Sequence, residues 1–300
     1  MITEKKIVSI IGLGLIGSSI LRAFNYYLKN KFYIKVYDNN SEHLKVVKSL
    51  NIADEICNSV EDSVKEADLV ILAIPVGIMA EVGKLISPNL KKGAILTDTG
   101  STKLSVIRDL SSLIPEDIFL VPSHPLAGTE HSGPKAGFYN LFEGRYWIII
   151  SKKNDKNGKF LENLFKKFGS KVEFMDEYYH DKVLAITSHL PHLIAYSIVD
   201  TANNLESDLK NDVIRYSATG FRDFTRLASS DPTMWRDVFL NNTEAVLEML
   251  QRFNEDLSVL QKLIRKKDAN ELYNFFKNSK KIRNKIIEAK QHLPEISKLK

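Results

Sequence analysis

A single cysteine, Cys57, stands in a chain of 300 residues. One thiol makes no internal disulfide and no zinc or iron–sulfur cluster, so a reducing, cytoplasmic setting is expected. Glycine and proline are sparse, at 14 and 9 residues, which excludes collagen-like and low-complexity chains. Long apolar runs are missing too. The uncharged stretch from Ile7 to Leu21 follows Lys5 and Lys6 as a signal peptide would. Three glycines interrupt it, Arg22 follows it and no small-x-small cleavage site appears, so it is not read as a leader. No other stretch is read as approaching the roughly 18 apolar residues of a membrane span. The net charge of +5 also lacks a basic body: residues 262–300 hold 12 Lys and Arg against 4 Asp and Glu, an excess of 8 that leaves the preceding 261 residues at −3. A basic terminal segment of this kind reads as a solvated helix face, and neither nucleic acid nor membrane is an expected partner.

What is present is a folding composition, 44% hydrophobic and 26% charged, on a length suited to two domains. Apolar runs at Ile7–Ile11, Phe32–Tyr37, Leu69–Ile74, Ala94–Thr97, Ile118–Val121, Tyr146–Ile150 and Lys171–Phe174 alternate with amphipathic segments. That rhythm predicts a parallel sheet covered by helices on both faces. After Met175 the strand signal stops and helical periodicity takes over. Asp231 before Pro232 reads as an N-cap with proline at the first helical position. Val246, Leu250, Phe253, Leu257, Leu260 and Ile264 then form a stripe of alternating four- and three-residue steps, suited to an intradomain helix or to a subunit interface. Asp268 and Glu271 open a further helix. The expected organisation is an α/β fold, with a Rossmann-type domain over residues 1–175 and an all-helical domain over 176–300.

Gly12-Leu13-Gly14-Leu15-Ile16-Gly17 follows the first strand and opens a helix read over Ser18–Tyr27. The three glycines suit a tight turn, close approach to a pyrophosphate, and close contact of helix with strand. A helix N-terminus adds free N–H groups and partial positive charge. Asp38 ends the second strand 21 residues after Gly17, where a carboxylate accepts from ribose hydroxyls. Asn39, Asn40 and Ser41 beside it supply no arginine for a 2′-phosphate, so NAD is expected over NADP.

Ligands of such a sheet lie beyond the carboxyl ends of its strands. There the chain carries Thr97-Asp98-Thr99-Gly100-Ser101-Thr102-Lys103 and Ser123-His124-Pro125-Leu126-Ala127-Gly128-Thr129-Glu130. A histidine so placed can take a hydroxyl proton while a nicotinamide takes hydride from the same carbon. The second half offers Ser188-His189-Leu190-Pro191-His192, Phe221-Arg222-Asp223-Phe224-Thr225-Arg226 and Ser230 to Arg236. His189 and His192 lack a cysteine or carboxylate at ligand spacing, so no metal site is predicted. Arg222 and Arg226, four apart, would share a helix face and offer two cations to an anionic substrate.

These blocks together resemble the prephenate dehydrogenase family of tyrosine biosynthesis, from Ile7 to about Leu260. The resemblance implies a Rossmann domain that binds NAD through Gly12, Gly14, Leu15, Ile16, Gly17, Asp38 and Thr99, a helical domain that forms a homodimer, and oxidative decarboxylation of prephenate to 4-hydroxyphenylpyruvate. It implies His124 as the catalytic histidine and Ser101 as the serine that orients it. His192 and Arg226 are the implied substrate anchors, with Arg226 expected at one substrate carboxylate and His192 or Arg222 at the other; Thr129 and Glu130 would lie at the mouth of the site, and Trp235 would reach the partner subunit's site. The segment Tyr216–Gly220 carries fewer glycines than the family pattern.

Arogenate dehydrogenase is the nearest alternative, with Glu130 or Asp223 as a carboxylate for the substrate ammonium. A generic β-hydroxyacid dehydrogenase would want a lysine base such as Lys182, and a non-catalytic NAD sensor would bind NADH without turnover. No separate regulatory domain is expected, so any feedback by tyrosine would act by competition at the active site.

Overall fold

The computed structural model describes residues 5–129 and 131–288. In chain order the elements are β1 (Lys6–Ile11), α1 (Leu15–Tyr27), β2 (Phe32–Tyr37), α2 (Ser41–Leu50), β3 (Glu55–Ile56), α3 (Val60–Val64), β4 (Leu69–Leu72), α4 (Met79–Ile86), β5 (Ile95–Asp98), α5 (Lys103–Ser111), β6 (Phe119–Leu120), β7 (Ser123–Pro125), β8 (Tyr146–Ile149), α6 (Lys156–Lys167) and β9 (Lys171–Phe174). The helices α7 (Glu177–Leu184), α8 (Leu190–Asn203), α9 (Ser207–Arg215), α10 (Thr219–Thr225), α11 (Pro232–Asn241), α12 (Thr243–Lys266) and α13 (Ala269–Glu288) complete the chain. It divides into two compact units, Met1–Thr243 and Glu244–Lys300.

In the first unit six parallel strands run in the order β3-β2-β1-β4-β5-β6. The order reverses between β1 and β4, which opens a crevice at their carboxyl ends. Strand residues alternate between the two faces. Val8, Ile10, Leu69 and Ile71 enter one core with Phe24 of α1 and Leu161, Leu164 and Phe165 of α6. Ile11, Val70 and Leu72 enter the other with Val64, Met79, Val106 and Leu110. Both faces are therefore covered, and the strands read as continuous apolar runs for that reason.

Two expectations are corrected here. The runs at Tyr146 and Lys171 do not extend the parallel sheet; with β7 they make a second sheet, β7-β8-β9, in which β7 and β8 are antiparallel. The indole of Trp147 stacks on Phe165 at 3.7 Å and seals this sheet to α6. The segment Glu177–Asn203, α7 and α8 joined by a π-helical turn at Ala185–His189, is long and apolar enough to cross a membrane by length and composition. It carries His180 and Asp181, both buried and hydrogen-bonded, to β7 and α5 respectively.

The predicted caps form. The Asp231 side chain accepts from Met234 N–H at 2.8 Å with Pro232 in the first turn, and Asp268 accepts from Glu271 N–H at 3.1 Å. Cys57 is buried, and burial pushes its thiol up to about 12, which leaves it a small apolar residue. The helix α12 is continuous over 24 residues, all but the first in the second unit. Of its apolar stripe, Val246 is buried whereas Leu257 and Ile264 stand exposed, as do Phe276, Ile282 and Ile286 on α13.

Candidate active site

The candidate cofactor cradle is built from backbone. Gly12, at φ +91°, follows β1; a Cβ there would lie 2.3 Å from the Ala73 carbonyl oxygen. A Cβ on Gly17 would lie 1.8 Å from the Gly12 carbonyl oxygen, so the third glycine lets α1 close on the loop. Gly14 differs, because nothing stands within 4 Å of its Cβ position. It is the N-cap of the 13-residue α1 and offers no side chain to the helix's first N–H groups. Open space beside unsatisfied donors fits a pyrophosphate, and Leu15 and Ile16 begin the helix that presents them.

Asp38 closes the cradle at 8% exposure. Its Oδ2 accepts from Leu13 N–H at 2.6 Å and meets His43 Nδ1 at 3.1 Å, and its Oδ1 accepts from Asn40 N–H at 2.8 Å. The carboxylate thus braces the glycine loop from the end of β2. His43 is absent from the expected set because it lies one helical turn past the strand end. Thr99 follows β5, its N–H donating to the Leu72 carbonyl at 3.0 Å.

The second half of the site is made of side chains. His124 sits on β7 with both neighbours buried, at 8% exposure. Its Nδ1 lies 2.9 Å from Nε2 of His180 on α7, and Nδ1 of His180 lies 2.7 Å from Oδ1 of Asp181. Asp181 accepts from Lys103 N–H at 2.7 Å and Leu104 N–H at 3.0 Å. It thereby caps α5, whose own N-cap residue Thr102 makes no side-chain cap bond. Asn242 donates to the Asp181 carbonyl at 2.9 Å and meets Nδ1 of His189 at 3.1 Å.

Beneath His124 lies a buried ion pair. Lys103, without solvent exposure, donates to the Asp98 carboxylate and to the Ser123 carbonyl at 2.7 Å. Asp98 also accepts from Ser123 N–H at 3.1 Å and Gly100 N–H at 2.7 Å. Every group in this pair is hydrogen-bonded, the condition under which a buried charge pair is tolerated. Burial pushes the Lys103 ammonium down, with Asp98 pulling the other way.

Burial also depresses the histidines. His124 is held well below the ordinary imidazole value, first by desolvation and then by His180, Lys103 and His189. His180 is lowered by burial against the pull of Asp181, and His189 is lowered to about 4. His192, lowered by burial and then by Arg226, stacks on Trp235 at 3.7 Å and 22°. These rings are neutral near pH 7, and a neutral ring is the form that accepts a proton.

His124, His192, Arg226 and Trp235 are thus linked through the buried chain His180–Asp181–Asn242–His189, whose last ring lies 6.0 Å from Trp235. Arg222 is exposed on α10, one turn before Arg226. Trp235, expected to reach a partner's site, is buried against His192 and Phe239 of its own chain. Ser101 is half-buried beside α5, and the partner of His124 Nδ1 is His180. Thr129 is exposed and accepts from His131 N–H at 3.2 Å. Glu130 lies outside the described residues. Sequence reading missed His180, Asp181 and Asn242, since 56 residues separate the first from His124. Among the described residues no group of three or more His, Cys, Asp or Glu is placed to hold a metal ion.

Comparison with known proteins follows the same lines. A family model described as prephenate dehydrogenase, nucleotide-binding domain, matches residues 24–174, and one described as prephenate dehydrogenase, dimerization domain, matches residues 176–278. The cyclohexadienyl dehydrogenase of Zymomonas mobilis is 40% identical over 283 residues, covering 94% of this chain and 96% of that protein. The prephenate dehydrogenase of Bacillus subtilis is 33% identical over 283 residues, covering 93% and 76%. The crystal structure of prephenate dehydrogenase from Aquifex aeolicus, in complex with hydroxyphenyl propionate and NAD+, matches with a TM-score of 0.86 at 35% identity, over 95% of this chain and 100% of that one.

Proposed function

The chain belongs to the prephenate dehydrogenase family and is an NAD-dependent oxidoreductase, and on that premise we propose that it converts prephenate to 4-hydroxyphenylpyruvate and CO2. The observation that carries the reading is His124: a buried imidazole on β7, just past the last strand of the parallel sheet, with Nδ1 engaged by His180 and burial holding the ring below its ordinary value, so that Nε2 is assigned to a substrate hydroxyl. NAD+ supplies the acceptor for the C4 hydride. His124 takes the C4 hydroxyl proton as that hydride leaves, which gives a ring ketone. The C1–carboxylate bond then breaks, its electrons aromatise the ring, and the oxygen at C4 recovers the proton from His124. No proton is gained or lost overall.

Arg226 is assigned to one substrate carboxylate, since its planar fork suits bidentate contact, with His192 or Arg222 at the other. Trp235 orients His192 by stacking on it. Thr129 and Glu130 are assigned to the rim of the same site, Ser101 to the position beside His124 and the nicotinamide, and Gly12, Gly14, Leu15, Ile16, Gly17, Asp38 and Thr99 to NAD. The domain division proposed for catalysis is a nucleotide-binding part to residue 175 and a helical part beyond it.

A second reading, arogenate as substrate, is favoured by the relative named for cyclohexadienyl substrates as a class. Parallel assays of NADH formation with prephenate and arogenate decide between them: a higher kcat/KM with prephenate is expected, and turnover of arogenate alone would overturn the choice. The exposed apolar faces of α12 and α13 support a homodimer. Sedimentation is expected to show a dimer at micromolar concentration, and a fully active monomer would refute it.

A further inference from the structure

We propose that His180 is a positioning residue for this reaction: it holds His124 in the tautomer whose Nε2 carries the lone pair, and Asp181 holds His180 in turn. The assignment rests on His124 being the base, as proposed above, and adds what makes it one.

Donors and acceptors alternate along one buried line. Ionised Asp181 has only lone pairs to offer. It accepts two backbone N–H groups from the start of α5, one at each oxygen. The ring nitrogen 2.7 Å from its Oδ1 is therefore a donor, so His180 carries its proton on Nδ1. A neutral imidazole has one N–H, so Nε2 of His180 is an acceptor. The atom facing it at 2.9 Å is Nδ1 of His124, which must then be the donor. That leaves Nε2 of His124 with its lone pair. A free histidine side chain favours the opposite tautomer, with the proton on Nε2, and in that form this ring could not accept from a substrate there.

Position is fixed along with protonation. His180 is fully buried, and its ring meets that of His124 edge-on at 68°. Asp181 is immobilised by three further contacts: two N–H donors of α5 and the Asn242 amide on its own carbonyl. The charged and titratable groups facing the two rings are Lys103 and Asp98, paired with each other, together with Asp181 and His189. When His124 takes the substrate proton, the cation it becomes donates through Nδ1 to His180, one ring away from the Asp181 carboxylate. Orientation and charge are thus served by one line of bonds, as in catalytic triads where a carboxylate fixes a base, with a second imidazole interposed.

The chain also breaks in a defined way. A proton added to His180 turns both of its nitrogens into donors. Nδ1 of His124 must then accept, its own proton moves to Nε2, and the base is lost without His124 itself having gained a charge.

The test is steady-state kinetics on full-length His180→Leu and His180→Gln, with prephenate and NAD+, across the acid range. Leucine removes the acceptor; glutamine can return one through its amide oxygen. His180→Leu is expected to lower kcat by about 10² or more with KM for both ligands within a few-fold, and His180→Gln to recover most of the loss. Equal losses in the two variants, or a loss confined to KM, would overturn the proposal. Should either variant fail to fold, nitrogen-15 spectra of histidine-labelled wild type decide: His124 is expected with its proton on Nδ1 near neutral pH, and a proton on Nε2 would overturn the assignment. Wild type that reduces NAD+ with neither prephenate nor arogenate would sink the functional reading and this proposal together, whereas active wild type with an unaffected His180→Leu would sink the proposal alone.

Discussion

The two halves of the site are built by opposite means. The proposed cofactor cradle is a stretch of chain from Gly12 to Gly17, shaped by what its glycines leave out and braced by one carboxylate, Asp38. The histidine cluster draws on β7, α5, α7 and the turn after α11, and is held by side chains that count each other's protons. A cradle of backbone fails when a methyl group is added; a line of hydrogen bonds fails when a proton moves.

The largest expected effect separates the halves cleanly. His124→Asn keeps a polar group of similar reach and removes the base, so turnover should fall by about 10² to 10⁴, while NAD affinity, measured by calorimetric titration, stays within a few-fold. A variant that kept its turnover would move the base elsewhere, with His189 and His192 next to examine.

Within the cradle, two glycines should behave differently. Gly12→Ala places a Cβ against the Ala73 carbonyl in a left-handed conformation, and should cost about 1–3 kcal/mol of stability as well as NAD binding. Gly14→Ala meets open space, so its melting temperature should match wild type while NAD affinity drops at least several-fold. Equal melting temperatures for the two variants would contradict the account of the loop.

Acid should act on the cluster first. The histidines have folded-state values depressed below the ordinary 6.5. The unfolded chain therefore binds more protons in that window, and stability present above 6.5 is lost as pH falls. For His189, lowered to about 4, the contribution is on the order of 3 kcal/mol. Denaturant titrations should show stability falling between those two values, and His189→Gln should flatten the slope; an unchanged slope would exclude His189 as its source.

Much of the cradle was legible in the sequence because its information is local: a strand, three glycines and a carboxylate at fixed distance. The cluster was legible only in part. His124 and His192 stand in conspicuous segments, but His180-Asp181 opens an ordinary amphipathic helix, and only the fold brings it to His124. Strand β7, Ser-His-Pro, has no apolar alternation to betray it. Strands β8 and β9 were readable as strands and not as a separate sheet, since apolar content fixes burial and leaves partners open. The stripe from Val246 to Ile264 was read correctly as helix.

A smaller effect sharpens the cradle's selectivity. Asp38→Ser combined with Asn39→Arg should shift preference toward NADP, read as the ratio of kcat/KM for the two cofactors. An unchanged ratio would place this strand end away from the ribose.

The central claim is that a histidine held neutral by burial is the base. Its most direct test is the pH dependence of kcat/KM for prephenate in wild type. The acidic limb is predicted to lie below the ordinary imidazole value of 6.5, because burial lowers His124 and His180 alike, and to disappear from the residual activity of His124→Asn. A limb at or above 6.5 that survives in His124→Asn would contradict the account.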